Sequence, residues 1–318
     1  MKRKVIQIAN STQLISLPRK WTIQFGIKKG DELEVEERGS KIEISTDRTP
    51  ELEDIDLNVT NLDRTSTMLY VRSAYRRGFD SVNIRFDKPT TVHYRTNKHV
   101  SYISIINTEV NRLVGLEIIK QTENHCVIKD FSGDHSKDFD SLIRKIFLQI
   151  NDAMNDLVKG AKNMDVNLLE TIEEKHDSIT KFVSYCLRLL NKKSHYDAYK
   201  SHVIYYTIAS LDIITDDIKY AAREIIKYNK KFKKESIVVC ELIQKALYTF
   251  YELFYKYDIK NINNLIRIRD EILVSIDDNA NKIPVKELLI LNDIKQITNI
   301  LKDLGEARME LTHTPNRD

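Results

Sequence analysis

Residues 142–157 read LIRKIFLQINDAMNDL, with Leu142, Ile146, Ile150, Met154 and Leu157 spaced along one stripe. Because an α-helix has 3.6 residues per turn, this spacing predicts an amphipathic helix packed on a core. The same period continues from residue 138 almost to the C-terminus. The C-terminal part of the chain is therefore predicted to be helical.

The helical pattern after residue 138 is interrupted near residues 191–196 and 230–235. It predicts three helices before the second interruption. Three more are predicted after it, at residues 237–257, 262–277 and 285–311. Three helices followed by three indicate an internal duplication of a three-helix bundle over residues 138–318.

The composition agrees with a mainly helical, multidomain chain. The 318 residues include only 8 Gly and 5 Pro, and 31% of them are charged. This length favours two or three domains. The 50 Lys and Arg against 47 Asp and Glu leave a net charge of +3, so contact with nucleic acid requires local clustering of positive charge.

The sequence also argues against several classes of protein. Cys126, Cys186 and Cys240 have no C-x-x-C spacing, which speaks against a disulfide framework, a zinc site or a redox pair. We find neither a signal peptide nor an apolar run that spans a bilayer, and expect a cytoplasmic protein without membrane insertion. With no phosphate-binding Gly-rich loop, His-Glu-x-x-His or nucleophile elbow, we expect no enzymatic activity.

Residues 55–135 change period and predict a small α+β module that links the two ends of the chain. Its predicted elements are a helix ended by Gly78, a strand at residues 81–86, a helix at residues 100–114 and strands at residues 117–122 and 125–131. The acidic run at residues 51–56 is interpreted as a linker. The module is interpreted as a spacer, a packing platform or a dimer surface.

Residues 1–48 predict short strands and turns around one short helix. Pro18 suits the first position of that helix, which ends at Phe25, and Gly26 suits the position just past the end. Strands are predicted at residues 4–9, 14–17, 32–36 and 41–45. So few residues cannot bury a core alone, so we expect two copies to interleave.

Residues 14–18 (LISLP) and 25–35 (FGIKKGDELEV) resemble the AbrB/MazE family of swapped-hairpin transcription-factor domains, also called SpoVT-AbrB domains. Ser11 and Thr12 depart from that pattern, since many members carry a glycine there. The resemblance implies an intertwined homodimer that binds DNA with basic side chains near the first strand and hairpin. The DNA-binding candidates are Lys2, Arg3, Lys4, Arg19 and Lys20, with Ser11 as a further hydrogen-bonding candidate.

Residues 208–217 (IASLDIITDD) resemble the PhoU family of phosphate-uptake regulators, which shows a pattern like L-E-R-I-G-D-H there. Asp212 and Asp216 stand one helical turn apart, so both carboxylates project from the same face. In the family this spacing binds metal. The resemblance therefore implies a divalent metal, or an iron or zinc cluster, on the helical bundles.

Three further carboxylates are candidate metal ligands. Glu173 and Asp177 have the same spacing on the preceding predicted helix, and Asp303 keeps the final acid of the motif in the second repeat. In that second repeat, Asn299 stands where the motif has its first acid. In the first repeat, Ile213 and Asp217 stand where the motif has basic residues or histidine. Solvated helix-face carboxylates are the alternative interpretation of all these residues.

Residues 110–121 (VNRLVGLEIIKQ) resemble a segment of archaeal PhoU-like proteins, which assigns the whole chain to one arrangement. The resemblances imply a phosphate-responsive transcriptional or signalling regulator that binds DNA through an N-terminal homodimer. Its bundles would sense phosphate transport through a phosphate ABC transporter ATPase or a sensor kinase. The alternatives are a DNA-binding regulator whose helical region is only an oligomerisation scaffold, and a metal-sensing helical protein.

Overall fold

The computed structural model describes residues 2–8, 12–38, 41–46, 54–133, 138–192, 196 and 198–313. The chain forms two compact units, Met1–Ile55 and Asp56–Asp318. The predicted boundary between residues 135 and 138 lies inside the second unit. Within the described part of the chain, no helix is both long and apolar enough to cross a membrane.

The first unit contains two antiparallel strand pairs and one short helix. Its elements are β1 (Ile6–Ile8), β2 (Thr12–Leu14), α1 (Arg19–Gln24), β3 (Glu34–Arg38) and β4 (Lys41–Ser45). β1 pairs with β2, and β3 pairs with β4. Pro18 precedes α1, and Gly26 lies just past its end with φ 58°, a left-handed conformation that glycine adopts without strain. The short helix is where the sequence predicts it.

The second unit begins with a four-stranded sheet covered by helices. Its strands are β5 (Asp54–Asn58), β6 (Ser81–Arg85), β9 (Leu116–Gln121) and β10 (His125–Asp130), in the order β5-β6-β10-β9. α2 (Arg64–Arg77) and α3 (Tyr102–Val110) pack against each other, and α2 also packs against a long helix further along the chain, α5 (Val166–Lys192). Between β6 and α3 lies a hairpin of β7 (Thr90–His93) and β8 (Lys98–Ser101).

The structure corrects two predictions for this region and adds one element. The acidic run at residues 51–56 overlaps β5, because Ile55 and Leu57 alternate with acids and Leu57 is buried against the sheet. The helix predicted at residues 100–114 begins only at Tyr102 and ends at Val110. The β7–β8 hairpin was not predicted from the sequence, since its strands are short and none of their residues is buried.

The remainder of the second unit is helical. Its helices are α4 (Phe139–Asn163), α5, α6 (Ala198–Tyr228), α7 (Lys234–Tyr255), α8 (Ile259–Asn279), α9 (Val285–Ile294) and α10 (Gln296–Glu310). α4, α5 and α6 pack against one another, and α7, α8 and α10 form a second group. α4 contacts α7, and α6 contacts α9 and α10, so the two groups share one core. The predicted fold class is confirmed: mainly helical, with a small N-terminal β region and C-terminal helical bundles.

The helix boundaries differ from the predicted ones at three places. The helix predicted at residues 285–311 is interrupted at Lys295, where the Thr298 hydroxyl and backbone N–H both bond the Lys295 carbonyl. α5 extends to Lys192, into the predicted break at residues 191–196, and α7 begins at Lys234, inside the break at residues 230–235. At the Lys295 interruption, the Thr298 side chain hydrogen-bonds to a backbone carbonyl of its own segment, which is a recognised cause of irregularity in helices.

Arg188 of α5 joins the helical bundle to the sheet. It is 1% exposed, and its guanidinium donates to the carbonyls of Tyr75 and Phe79 and to the Asp130 carboxylate at 2.5 Å. The same group lies 4.8 Å from the centre of the Tyr75 ring. A buried cation with this set of partners fixes the sheet against α5.

Candidate functional site

The predicted DNA-binding side chains lie exposed on the first unit. Lys2, Arg3, Lys4, Arg19 and Lys20 are all exposed, the first three just before β1 and the last two in the first turn of α1. Among the described residues, none of the five forms an ion pair with a carboxylate. The predicted contact Ser11 lies outside the described residues. The exposed cations are available to an anionic partner.

The acids of the first unit are concentrated elsewhere along it. Glu34, Glu36, Glu37 and Glu43 belong to the β3–β4 hairpin, whereas the predicted DNA-binding cations flank β1 and lie on α1. Because the acidic residues and the basic residues lie in different parts of the unit, the part formed by β1 and α1 is basic. Such a patch attracts phosphate groups even though the whole chain is nearly neutral.

The first unit leaves its large apolar side chains exposed. Val5, Ile6, Ile8, Leu14, Ile15, Ile23, Val35 and Ile42 are 45–69% exposed. Among the residues of this unit whose burial is described, none is buried. A module with this much exposed apolar surface is stabilised when a second molecule covers it.

The predicted metal ligands Asp212 and Asp216 lie on α6, one turn apart, and each already contacts cationic or hydroxyl groups. Asp212 accepts hydrogen bonds from Arg76 at 2.7 Å and from the Thr180 hydroxyl at 3.0 Å. Asp216 contacts Lys219 Nζ at 2.5 Å. These contacts neutralise both carboxylates within the fold.

His176 of α5 bridges the two predicted acidic pairs. Its Nδ1 lies 3.0 Å from Asp177 and its Nε2 lies 3.0 Å from Asp216. Burial lowers the pKa of His176, but its hydrogen bonds to the two carboxylates outweigh that effect and raise the pKa overall. Burial raises the pKa of Asp216, yet hydrogen bonds from His176 and Lys219 hold it at about 2. His176 is largely buried, with 8% of it exposed.

The other predicted ligands are also paired with cations. Glu173 forms a bidentate pair with Arg223, at 2.5 and 2.9 Å. Asp177 accepts a hydrogen bond from Arg112 at 2.9 Å. Asp303 lies in the second helical group, 3.2 Å from Lys302, so it is not brought together with the other four.

The arrangement of these carboxylates does not fit a metal ion. A divalent cation needs several oxygen, nitrogen or sulfur donors directed at one point. Among the described residues, no group of three or more His, Cys, Asp or Glu side chains has that geometry. A metal at Asp212 and Asp216 must also displace Arg76 and Lys219. Metal binding by Asp212, Asp216, Glu173, Asp177 and Asp303 stays a prediction that this arrangement does not support.

Sequence reasoning missed the cations that surround the acidic motif. Lys219 and Arg223 follow Asp216 on α6 at i+3 and i+7, and this helical spacing is readable in the sequence. Arg76 comes from α2, far away in sequence, and no local pattern indicates its contact with Asp212. The motif is therefore part of a charge network between α2, α5 and α6.

Comparison with known proteins gives a match for the N-terminal segment. Residues 6–51 match the model of the MazE antitoxin family, described as antidote-toxin recognition MazE, bacterial antitoxin. No match is found among curated proteins. The family match covers most of the first unit.

Solved structures similar to this chain include two PhoU proteins. PhoU from Pseudomonas aeruginosa is 16% identical, with a TM-score of 0.45, over 55% of this chain and 96% of that protein. The phosphate transport system regulatory protein PhoU from Streptococcus pneumoniae is 12% identical, with a TM-score of 0.46, over 57% of this chain and 97% of that protein.

Proposed function

We propose that the protein is a non-enzymatic transcriptional regulator that binds DNA through a homodimer of its first unit. The single observation that carries the proposal is that unit's surface: exposed apolar side chains together with exposed basic side chains around β1 and α1. The match of residues 6–51 to the MazE model supports it. Two copies cover the apolar side chains, and the doubled cations release counterions from DNA phosphates.

The direct test is DNA binding by the full-length protein. Fluorescence anisotropy with a duplex at low salt is expected to show binding, and the variant Arg3→Ala/Lys4→Ala/Arg19→Ala/Lys20→Ala is expected to lose it. A control with four exposed helical-region lysines replaced, Lys260, Lys282, Lys286 and Lys302, is expected to bind like wild type. Equal loss in both variants means that binding depends on net charge alone and overturns the proposal.

The second part of the proposal is that the helical region makes DNA occupancy respond to phosphate supply. It rests on the resemblance of residues 208–217 to the PhoU motif, and the proposed partner is a phosphate transporter ATPase or a sensor kinase. Chromatin immunoprecipitation from phosphate-replete and phosphate-starved cells tests this part. Occupancy that changes with phosphate supply supports it, whereas constant occupancy favours the alternative of a helical oligomerisation scaffold.

A further inference from the structure

A cationic pocket lies between the sheet module and helices α5 and α6, inside the second unit. Its volume is about 370 Å³. Three carboxylates line it, those of Glu173, Asp212 and Asp216. Six basic side chains also line it: Arg64, Arg72, Arg95, Arg112, Lys219 and Arg223. The side chains of His93 and His176 also line it. Neither the proposed DNA contacts nor the helical core accounts for this concentration of positive charge.

The cations come from both sides of the pocket. Arg64 and Arg72 lie two turns apart on α2, and Met68 between them also lines the pocket. Arg95 lies in the turn between β7 and β8, and Arg112 follows the end of α3. Lys219 and Arg223 lie one turn apart on α6. The pocket therefore lies at the interface between the sheet module and the helical bundle.

Most of these cations have a protein partner. Arg72 makes a bidentate pair with the buried Glu109, at 2.6 and 3.1 Å. Arg112 pairs with Asp177, Arg223 with Glu173 and Lys219 with Asp216. These pairs hold four cationic side chains in fixed positions around the pocket.

Arg64 and Arg95 are different. Over the ranges that the structure describes, neither has a carboxylate within salt-bridge distance. The neighbouring Asp63 carboxylate caps the N-terminus of α2, where it accepts hydrogen bonds from the backbone N–H groups of Thr65 and Ser66. Arg64 is half-buried and Arg95 is exposed, so both guanidinium groups are accessible to an anion that enters the pocket from solvent.

The surroundings strengthen an interaction with such an anion. Lys219 is 7% exposed and His176 is 8% exposed, so the inner wall excludes much of the solvent. Charges interact more strongly where water is excluded. The Tyr220 ring lies 4.6 Å from Lys219 Nζ, 5.6 Å from Arg223 Cζ and 6.0 Å from Arg95 Cζ, and so collects three cations around one side chain.

We infer that this pocket binds a phosphoryl group, with Arg64 and Arg95 as its main ligands and the ion-paired side chains as its fixed walls. Arginine suits this chemistry because its planar guanidinium donates two parallel hydrogen bonds to phosphate oxygens. The pocket has room for a free phosphate ion or for the phosphate of a small ester. The inference names an effector for the regulator proposed above, but binding to the pocket requires neither DNA nor the first unit's function.

The experiment is calorimetric titration of the full-length protein, at constant ionic strength, with inorganic phosphate and with adenosine monophosphate. Binding of the first probe identifies a free ion, and binding of the second alone identifies a phosphate ester. Sulfate and succinate serve as comparison anions. If either of these binds as tightly as the better phosphate compound, the pocket is a general anion site and the inference is overturned.

The variants Arg64→Gln and Arg95→Gln assign the site. Since neither arginine holds an internal ion pair, both proteins are expected to fold, with unfolding midpoints near that of wild type. Each loses a charge-assisted hydrogen bond, so we expect the affinity for phosphate to fall at least about tenfold. Arg77→Gln is the matched control, since Arg77 is exposed on α2 outside the pocket and its loss is expected to leave affinity unchanged.

The bound anion is also expected to raise the unfolding temperature, because a ligand that binds only the folded state stabilises it. Absence of phosphate binding at millimolar concentration, or equal affinities in wild type and the Arg64→Gln/Arg95→Gln protein, overturns the inference. DNA binding measured on the same variants separates the two proposals. A protein that binds DNA but no phosphate compound refutes the pocket alone, and one that binds phosphate but no DNA refutes the regulator alone.

Discussion

At the scale of single residues, the charges around α6 decide how the acidic motif behaves. The spacing of Asp212 and Asp216 was predictable from the sequence, and so was their shared helix face. Two of their partners were not, because Arg76 and His176 come from other helices. The motif shows which carboxylates share a helix face. Tertiary packing determines whether a metal ion or a basic side chain neutralises these carboxylates.

Metal content distinguishes these two interpretations of the motif. Because Arg76 and Lys219 already neutralise the carboxylates, we expect equal metal in wild type and in Asp212→Ala/Asp216→Ala protein, purified identically and measured by plasma mass spectrometry. The variant is instead expected to be less stable, since both cations lose their partners. Stoichiometric metal that disappears with the two carboxylates would contradict the charge network.

Asp217, next to this network, gives a pH-dependent prediction. Burial and the neighbouring carboxylates of Asp216 and Asp293 raise its pKa from 3.8 to about 6. The folded state therefore binds this proton more tightly than the unfolded state, and stability is lost as pH rises from 3.8 through about 6. Asp217→Asn cannot ionise, so we expect it to raise the free energy of unfolding at pH 7 by about 1 kcal/mol, after allowance for partial exposure.

Urea unfolding at two pH values checks this effect. At pH 4 the carboxyl is largely protonated in the folded protein, so the gain should be small. Asp278→Asn on α8 is the control, because Asp278 is exposed and should respond little at either pH. A gain for Asp217→Asn that is the same at both pH values would show that ionisation is not its cause.

At the scale of secondary-structure elements, strong periodicity was informative and short elements were not. In the apolar stripe on α4, Ile146, Ile150, Met154 and Leu157 are at most 1% exposed, and Leu142 is half-buried. Gly78 ends α2 with φ 112°, as its position in the sequence predicts. The β7–β8 hairpin has neither a long periodic stripe nor a glycine that marks its end. Its strands have four residues each, and they pack on α2 and α3.

The attachment of the sheet to α5 was equally unpredictable, because it depends on one buried cation. Arg188→Met removes the cationic partner of the Asp130 carboxylate, whose side chain is 5% exposed, and a hydrogen-bond donor to two backbone carbonyls. An unpaired buried charge is costly, so we expect urea unfolding to show a loss of about 3–5 kcal/mol.

Lys192 provides the matched control for Arg188. It also contacts the sheet module, through Asp80, but its side chain is 35% exposed. Because partly exposed ion pairs contribute little, Lys192→Met should cost less than about 1 kcal/mol. Similar small losses for both variants would mean that Arg188 does not fix the sheet to the bundle.

At the scale of the whole molecule, a first unit with the proposed DNA-binding surface is combined with a helical unit that carries a charged pocket. The exposed apolar side chains of the first unit predict that residues 1–48 dimerise without the helices. Sedimentation of that fragment at micromolar concentration should give the mass of a dimer. A monomeric fragment that is nevertheless folded would remove the physical reason for interleaved copies.

The organisation into a β-rich N-terminus and a helical C-terminus followed from composition and period. The function of the two parts did not, because charge clusters form from residues distant in sequence. The basic residues at the start of the chain were visible as candidates, since Lys2, Arg3 and Lys4 are consecutive. The pocket was not, because its cations come from α2, the β7–β8 turn, the end of α3 and α6.

The salt dependence of DNA binding tests the central claim most directly. Each phosphate contact contributes about 0.9 to the slope of log affinity against log salt, and a symmetric dimer loses two contacts per substitution. We therefore expect Arg3→Ala, Lys4→Ala, Arg19→Ala or Lys20→Ala to reduce the slope by about 1.8 and to weaken binding across many sequences. Slopes that stay at the wild-type value in all four variants would contradict the claim that the first unit binds DNA. The absence of DNA binding by the full-length protein at low salt would contradict it as well.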